Sequence, residues 1–201
     1  DYIFDTMGIP GATARGLQFL GGEQGADYDL VMVEFGTNEG NNPGFDAGSY
    51  AHDLRKSLAR LRRFYPDAAC VLIGPTDRGV LVPRPKTKTK KAKQCMGKGK
   101  RRKCKASAPP RVDLLRYSRT HATIGNVQAE VGKDFQCHAW SWQSAMGGPG
   151  GIYRWLRQKP ALAQRDLTHL TGSGYRLSAQ LFAQKLLGTT RLDAPTTGIP
   201  P

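Results

Sequence analysis

The chain has 201 residues, of which 39% are hydrophobic and 23% charged, and it carries a formal net charge of +14. This composition suits one compact domain and excludes a wholly disordered chain, while four cysteines are too few for a disulfide scaffold. No apolar run approaches the ~18 residues that a membrane-spanning helix requires. Thirteen Lys and Arg residues, with no Asp or Glu, lie between Arg84 and Arg111, which leaves only +1 for the remainder. Because the charge is so local, nucleic acid is not an expected partner.

Two apolar runs in the first half of the chain predict strands. Asp29–Phe35 is short and almost continuously apolar, which is typical of a strand that is buried on both faces of a parallel sheet. Ala69–Pro75 is a second run of the same kind. Further upstream, residues 2–8 predict a strand and residues 11–20 the start of a helix.

A helix is predicted between the two apolar runs. Apolar residues recur at spacings of three or four from Tyr50 to Tyr65, Ser49 is the expected N-cap, and Pro66 ends the pattern. A strand, a helix and a second strand in this order form a βαβ unit. We therefore expect an α/β fold with a parallel sheet.

The second half of the chain continues this alternation after a basic insert. The insert, residues 84–111, has no apolar periodicity and is predicted to be a disordered loop. An amphipathic stretch follows over about residues 112–131, and Phe135–Trp142 predicts another strand. A last helix is expected over Ser173–Leu187, and residues 191–201 are expected to be a tail or linker. The predicted domain covers residues 1–190.

Three predicted loops carry residues that are capable of chemistry. One contains Gly8 and Gly11, the second places Asn38 just beyond a strand, and the third holds Asp166 and His169 before the last helix. In parallel sheets, functional residues gather in loops at the carboxyl ends of the strands. Asp166 and His169 suit a base and its orienting carboxylate, because a carboxylate that accepts the imidazole N–H fixes the tautomer. The alternative is an aspartate that caps a turn beside a solvated histidine.

Asn38 and Gly8 are also open to two interpretations. An asparagine after a strand is ordinary turn chemistry. As functional residues, Asn38 would donate its side-chain amide and Gly8 its backbone N–H to a developing oxyanion. Each residue alone is weak evidence, so the prediction depends on their order and placement together.

These segments resemble the sequence blocks of the SGNH (GDSL-type) hydrolase family. Gly8 resembles the glycine of the second block, Gly36–Glu39 the third block, and Asp166–His169 the fifth. The resemblance implies a flavodoxin-like, three-layer α/β/α sandwich and carboxyl-ester hydrolysis by serine acyl transfer, with no metal or organic cofactor. His169 would then be the general base, Asp166 its orienting residue, and Gly8 with Asn38 the oxyanion hole.

Three longer stretches resemble one group of esterases within this family. Residues 28–40, 140–155 and 166–177 are similar to esterases that remove O-acetyl groups from cell-wall glycans, including peptidoglycan. This likeness implies an acylated glycan as substrate, with Gly147, Gly148 and Trp142 beside it. It also implies a bacterial envelope protein that is periplasmic or secreted.

The nucleophile of the resembled family is missing from this sequence. In the family a serine of a Gly-Asp-Ser block precedes the second block, and no Gly-Asp-Ser occurs in these 201 residues. We expect the serine to lie upstream of Gly8, outside this chain, so that the fold described by this chain is N-terminally incomplete. The alternative is a non-catalytic pseudoenzyme that binds a glycan or a polyanion without cleaving it.

The sequence also predicts the state of the four cysteines and two possible roles for the basic insert. Cys95 and Cys104 are expected to close the insert as a disulfide in an oxidising compartment, whereas Cys70 and Cys137 are expected to be buried thiols. No spacing of His and Cys residues predicts a metal site. The insert is either a solvated loop or an electrostatic tether to an anionic polymer.

Overall fold

The computed structural model describes residues 3–21, 27–82, 93–96, 103–106 and 112–188. The strands in these ranges are β1 (Leu30–Glu34), β2 (Ala69–Ile73), β3 (Lys93–Met96), β4 (Lys103–Ala106) and β5 (Cys137–Trp140). The α-helices are α1 (Ala47–Phe64), α2 (Arg116–Asp134), α3 (Trp142–Ala145), α4 (Gly151–Leu156) and α5 (Gly172–Leu187). No helix within the described ranges is both long enough and apolar enough to cross a bilayer.

The central sheet is parallel and has the strand order β1–β2–β5. In its middle strand, Leu72 lies opposite Val33 of β1 on one side and Ala139 of β5 on the other. All three strands therefore end at the same edge, and the loops that follow them lie there. The predicted α/β fold with a parallel sheet is confirmed.

Helices lie on both faces of this sheet. On one face, Leu58 of α1 and Ile124 of α2 pack with Leu72 of β2 in a fully buried core. On the other face, Trp140 of β5 packs edge-on against Phe182 of α5, with ring centroids 5.0 Å apart. The arrangement is the three-layer α/β/α order, in which each face of the sheet has its own helical cover.

Strand β1 differs from its prediction. Val31 and Val33 pack into the core, but Leu30 is 45% exposed and Met32 is 43% exposed. β1 is an edge strand of the described sheet, while α5 covers the opposite face at β5. The expectation of burial on both faces is therefore wrong for β1. It holds for β2, whose three central residues are buried.

Several helices and strands begin or end at residues other than the predicted ones. The N-cap of α1 is Asp46 rather than Ser49, because Oδ1 of Asp46 accepts the backbone N–H of Ser49 at 2.7 Å. These contacts with the first turn lower the pKa of Asp46. Residues 3–9 contain no strand, and Ala14–Phe19 forms a 3₁₀ helix in place of the predicted α-helix start.

Cys70 and Cys137 form a disulfide, with their Cα atoms 4.5 Å apart. Their strands are neighbours in the sheet, and the register pairs the two residues directly. The prediction was right about burial and wrong about free thiols. The error arises because a pairing across 67 residues depends on strand register, which the local sequence pattern does not encode.

The basic insert contains one antiparallel strand pair. β3 and β4 run side by side, with the backbone of Cys95 opposite that of Cys104. The prediction of a disordered loop is therefore wrong for these two short segments. The rest of residues 84–111, the side chains of both cysteines and the tail at 191–201 lie outside the described residues, so the Cys95–Cys104 disulfide stays a prediction.

Candidate active site

Asp166 and His169 form a hydrogen-bonded pair in a tight turn before α5. The Nδ1 atom of His169 lies 2.6 Å from Oδ2 of Asp166. Oδ1 of the same carboxylate accepts the backbone N–H groups of Thr168 and His169, both at 3.0 Å. Because a carboxylate only accepts, the proton of a neutral imidazole lies on Nδ1 and leaves a lone pair on Nε2. Nε2 has no partner among the described residues, and the His169 side chain is 64% exposed.

The Asp166 carboxylate is ionised at neutral pH. Burial raises the pKa of Asp166, but the hydrogen bonds from the His169 ring and from the two backbone N–H groups outweigh burial and lower the pKa to about 2. A fixed anion at Nδ1 stabilises an imidazolium as it forms. Asp166 thus caps the turn and also orients the ring, so both sequence-based interpretations describe part of its geometry.

Leu167 anchors this turn to the rest of the protein. Its φ of +57° lies in the left-handed region, which costs a leucine roughly 1–3 kcal/mol. Its side chain is buried against Ile152 and Leu170, and such burial stabilises by about 1.5–3 kcal/mol. Packing therefore offsets the strain. The Leu167 carbonyl also accepts the backbone N–H of Gly79 at 2.9 Å, which attaches the turn to the loop after β2.

The loop after β1 is joined to the first loop of the chain. Nδ2 of Asn38 donates to the carbonyl of Ala12 at 2.7 Å. The carboxylate of Glu39 accepts the backbone N–H groups of Ala14 at 2.7 Å and of Gly36 at 3.0 Å. Gly36 has a φ of +121°, and a Cβ there would lie 2.7 Å from a side chain of α2, so glycine is required. The two loops form one hydrogen-bonded unit at the carboxyl edge of β1.

The first loop offers two glycines, Gly8 and Gly11. Gly8 is exposed and makes no hydrogen bond with a described residue. Gly11 has a φ of +75° and sits in a turn closed by the backbone N–H of Ala12, which donates to the carbonyl three residues earlier at 3.1 Å. The carbonyl of Ala12 accepts the Asn38 amide, so Gly11 is the glycine whose turn is bonded to Asn38. The sequence prediction included Gly11 in this loop but assigned the oxyanion role to Gly8, although a Pro-Gly dipeptide is typical of a type II turn.

Gly147 and Gly148 form the turn between α3 and α4. Both have left-handed backbones, with φ of +92° and +79°. Their N–H groups donate to the carbonyls of Ser144 and Gln143, and Arg154 donates to the Gly147 carbonyl at 2.5 Å. These backbone N–H groups are therefore used within the loop. Their predicted place beside a substrate stays a prediction, and it would depend on the close approach that glycine permits.

Trp142 is the first residue of α3 and contacts α5. Its Nε1 donates to Oγ of Ser178 at 2.8 Å, and its ring packs against Tyr175 with centroids 6.3 Å apart. The indole N–H thus connects two helices and is not free for a ligand. Only the solvent-facing part of the half-buried ring remains for the substrate contact that the sequence predicts.

Contacts connect the loops at the carboxyl edge of the sheet with one another. His121 of α2 is 1% exposed, and its Nδ1 donates to the carbonyl of Thr76 at 2.6 Å. Its ring lies on Gly40, where a Cβ would come within 2.4 Å of Nε2. Because Gly79 in the same β2 loop is bonded to Leu167, contacts connect the loops after β1 and β2 with the turn before α5. The convergence of Asn38 and His169 around one pocket stays a prediction.

The arrangement suits acid–base chemistry on an external nucleophile. A histidine that is held at Nδ1 by a carboxylate and is free at Nε2 accepts a proton from a hydroxyl. No serine among the described residues hydrogen-bonds to Nε2 of His169. In the same part of the chain, no three His, Cys, Asp or Glu side chains are grouped so that they could hold a metal ion.

Comparisons with known proteins identify the family and the fold of this chain. A family model described as the GDSL-like Lipase/Acylhydrolase family matches residues 1–177. Six chains of known structure match, among them a peptidoglycan O-acetylesterase with a TM-score of 0.56 and 23% sequence identity over 87% of this chain. The match covers 40% of that chain, so the present chain spans less than half of its length. No protein of curated function matches. The likeness confirms the predicted SGNH-type fold.

Proposed function

The chain belongs to the GDSL-like Lipase/Acylhydrolase family, and from this premise we propose that it forms most of the catalytic domain of a serine esterase that removes O-acetyl groups from a cell-wall glycan. The observation that carries the proposal is the Asp166–His169 pair, in which Nδ1 of His169 lies 2.6 Å from the carboxylate and Nε2 has no partner in the described part of the chain. In the proposed reaction His169 takes the proton of a serine hydroxyl, and the serine oxygen attacks the acetyl carbonyl. The bond between that carbonyl and the sugar oxygen breaks, and the imidazolium returns the proton to the sugar hydroxyl that leaves. The same imidazole then activates the water that releases acetate.

We propose that the serine comes from a segment upstream of Gly8 that pairs with β1. The exposed edge of β1 and the exposed side chains of Leu30 and Met32 support this placement. An unpaired edge strand with apolar side chains in water is a liability that proteins cover. A parallel strand added there would end beside Asn38, which follows β1, and a serine at its end would lie at the same edge of the sheet as the His169 turn.

The oxyanion would be held by donors from the two joined loops. Asn38 would supply its amide, and we propose the backbone N–H of Gly11 together with, or in place of, that of Gly8. Gly11 is favoured because its turn is bonded to Asn38 through Ala12, and its N–H has no acceptor among the described residues. Each such donor contributes roughly 3 kcal/mol of barrier lowering in related chemistry.

Two observations support a proposal for the substrate and for the compartment. One of the solved structures that the chain resembles is a peptidoglycan O-acetylesterase, and by this likeness we propose an O-acetylated wall glycan as substrate. The Cys70–Cys137 disulfide requires an oxidising compartment for its formation, which supports a periplasmic or secreted protein.

The full-length gene product provides the test. It should release acetate from O-acetylated peptidoglycan and from p-nitrophenyl acetate, and His169→Ala should lower kcat by about 10³-fold or more, since the serine then lacks its base. His52→Ala is the matched control, because His52 is exposed on α1 and should leave kcat unchanged.

Two results would contradict the proposal. Turnover that survives His169→Ala would assign the chemistry to other residues. Binding of O-acetylated glycan without any acetate release by the wild-type protein would instead favour the non-catalytic binding protein.

A further inference from the structure

We propose that Arg78 and Arg116, which both lie over the ring of Tyr117, form a subsite for an anionic group of the glycan, a carboxylate set apart from the ester that is cleaved. The inference rests on the proposed function for its substrate. It adds a residue set that the Asp166–His169 chemistry does not use.

Both guanidinium groups contact the same aromatic ring. Cζ of Arg78 lies 4.5 Å from the centroid of Tyr117, and Cζ of Arg116 lies 4.4 Å from it. Nη2 of Arg116 also donates to the Tyr117 hydroxyl at 2.6 Å. Stacking of this kind fixes the planes of the guanidinium groups, so a ligand meets donors that are already oriented.

Arg78 is partly desolvated and has no counter-ion within the described ranges. Its Nε and Nη1 atoms are buried without any hydrogen-bond partner, and no carboxylate lies within ion-pair distance of it among the described residues. Buried charges in proteins are normally paired, because desolvation without compensation is costly. An arginine in this state gains more from an anion at its remaining donors than a fully hydrated arginine does.

The nearby carboxylates are already engaged. Asp77 is fully buried and accepts from Nε2 of Gln143 and from the backbone N–H of Ile152. Asp113 forms an ion pair with Arg119. Arg116 also lowers the pKa of Asp113 through its charge, after the larger effects of Arg119, so this acidic group faces two arginines. Counted over the described residues, two acidic groups face three arginines, which leaves an excess of positive charge at Tyr117.

Three contacts fix the position of the Arg78–Arg116 subsite relative to the candidate active site. The residue after Arg78 is Gly79, whose backbone N–H is bonded to Leu167 in the His169 turn. The hydroxyl of Ser118, in the first turn of α2, donates to the Arg78 carbonyl at 3.1 Å. A Cβ at Gly150 would lie 3.4 Å from Leu115, so the glycine-rich loop borders the start of α2. The subsite therefore flanks the turn that carries His169.

A carboxylate on the glycan is the ligand that this chemistry favours. Planar guanidinium groups bind carboxylates through parallel N–H donors, and α2 begins here without any acidic residue in its first turn. A glycan strand whose sugars carry lactyl carboxylates presents such groups at regular spacing beside its O-acetyl groups. Recognition of that carboxylate would hold the strand in place while its ester is cleaved.

The experiment compares two substrates in the full-length protein. One is an O-acetylated oligosaccharide with free lactyl carboxylates, and the other is the same oligosaccharide with those groups converted to methyl amides. We expect Arg78→Gln and Arg116→Gln each to raise KM for the charged substrate by about 10-fold, because a charge-assisted hydrogen bond is lost. Activity on the amide form and on p-nitrophenyl acetate should stay within about twofold. Arg78→Lys keeps the charge and should recover part of the loss.

Arg55→Gln is the matched control, since Arg55 is exposed on α1, away from Tyr117, and is paired with Asp134. It should leave KM for both oligosaccharides unchanged. Arg116 is exposed, so its variant tests the subsite even where Arg78→Gln does not fold. Equal losses on charged and neutral substrates, or no loss on either, would overturn the proposal.

Calorimetric binding of the de-O-acetylated, carboxylated oligosaccharide separates this proposal from the esterase proposal. Binding that weakens by about 10-fold in Arg78→Gln, in a protein that releases no acetate, would keep the subsite and overturn the esterase function. Acetate release that does not depend on the carboxylate would keep the esterase function and overturn the subsite.

Discussion

The carboxylate of Glu39 accepts the backbone N–H of Ala14 at 2.7 Å, across 25 residues of chain. Its second oxygen accepts the N–H of Gly36 at 3.0 Å. One side chain thus holds the first loop against the loop after β1, and Asn38 lies between these contacts. A carboxylate is needed because both of its partners are donors and it alone offers two accepting oxygens.

Glu39→Gln should therefore loosen the proposed oxyanion loop. The glutamine amide offers one oxygen and one NH₂ group, so one of the two backbone N–H groups faces a donor. We expect a loss of about 1–3 kcal/mol in the free energy of unfolding and a fall in kcat at unchanged substrate binding. Urea unfolding and acetate release would measure both. Glu130→Gln is the control: its exposed ion pair with Lys133 should contribute less than about 1 kcal/mol.

Asp166→Asn tests the orienting role of the carboxylate. An asparagine can rotate its NH₂ group toward Nδ1 and so favour the tautomer that places the proton on Nε2, where it cannot act as a base. We expect kcat to fall by about 10²–10⁴-fold while KM changes little. An equally large rise in KM, or kcat within a few fold of wild type, would show that the carboxylate serves the fold alone.

The same carboxylate predicts a pH dependence of stability. Asp166 has a pKa of about 2 in the folded protein against an ordinary value of 3.8. Because the folded-state pKa is lowered, its stabilising effect is fully present above pH 3.8 and is lost as the pH falls through about 2. The difference in unfolding free energy between wild type and Asp166→Asn should therefore shrink between pH 5 and pH 2. A constant difference over that range would contradict the assigned pKa.

Reduction of the Cys70–Cys137 disulfide should destabilise the protein without altering the sheet. The bond closes a loop over 67 residues that includes the basic insert, and the chain-entropy relation gives about 4 kcal/mol for a loop of this size. We expect the free energy of unfolding, measured in urea, to fall by about 2–4 kcal/mol in the double variant Cys70→Ala, Cys137→Ala. The loss is smaller than the full chain-entropy value because relaxation of the native state recovers part of that energy. An unchanged unfolding midpoint under reducing conditions would show that the thiols are not joined in solution.

The sequence predicted those parts of the molecule whose signals are local. The apolar run of β2 and the helix before it follow from spacing within a few residues, and the three-residue separation of Asp166 and His169 places both in one turn. Glu39 and the Cys70–Cys137 pair were not predicted as contacts, because each depends on elements that approach one another only in the folded chain. β1 was predicted as fully buried because an apolar strand carries no mark of its position at the edge of a sheet.

Gly174, in the first turn of α5, has the closest backbone contact of the described glycines. A Cβ there would lie 1.9 Å from the carbonyl oxygen of Leu162, which also accepts the backbone N–H of Thr171 at 3.0 Å. Gly174→Ala would push α5 away from this carbonyl and displace Thr171, two residues after His169.

The expected cost of Gly174→Ala is about 1–3 kcal/mol in unfolding free energy, together with a lower kcat. Gly172→Ala is the matched comparison in the same helix, because a Cβ at Gly172 would meet only the end of Arg176 at 3.9 Å. That variant should be neutral or stabilising by up to about 1 kcal/mol, since alanine favours a helix over glycine. Thermal unfolding of the two variants side by side distinguishes steric exclusion at Gly174 from a general need for flexibility. Equal losses in both would indicate that flexibility at the start of α5, and not the close contact with Leu162, is what the glycines provide.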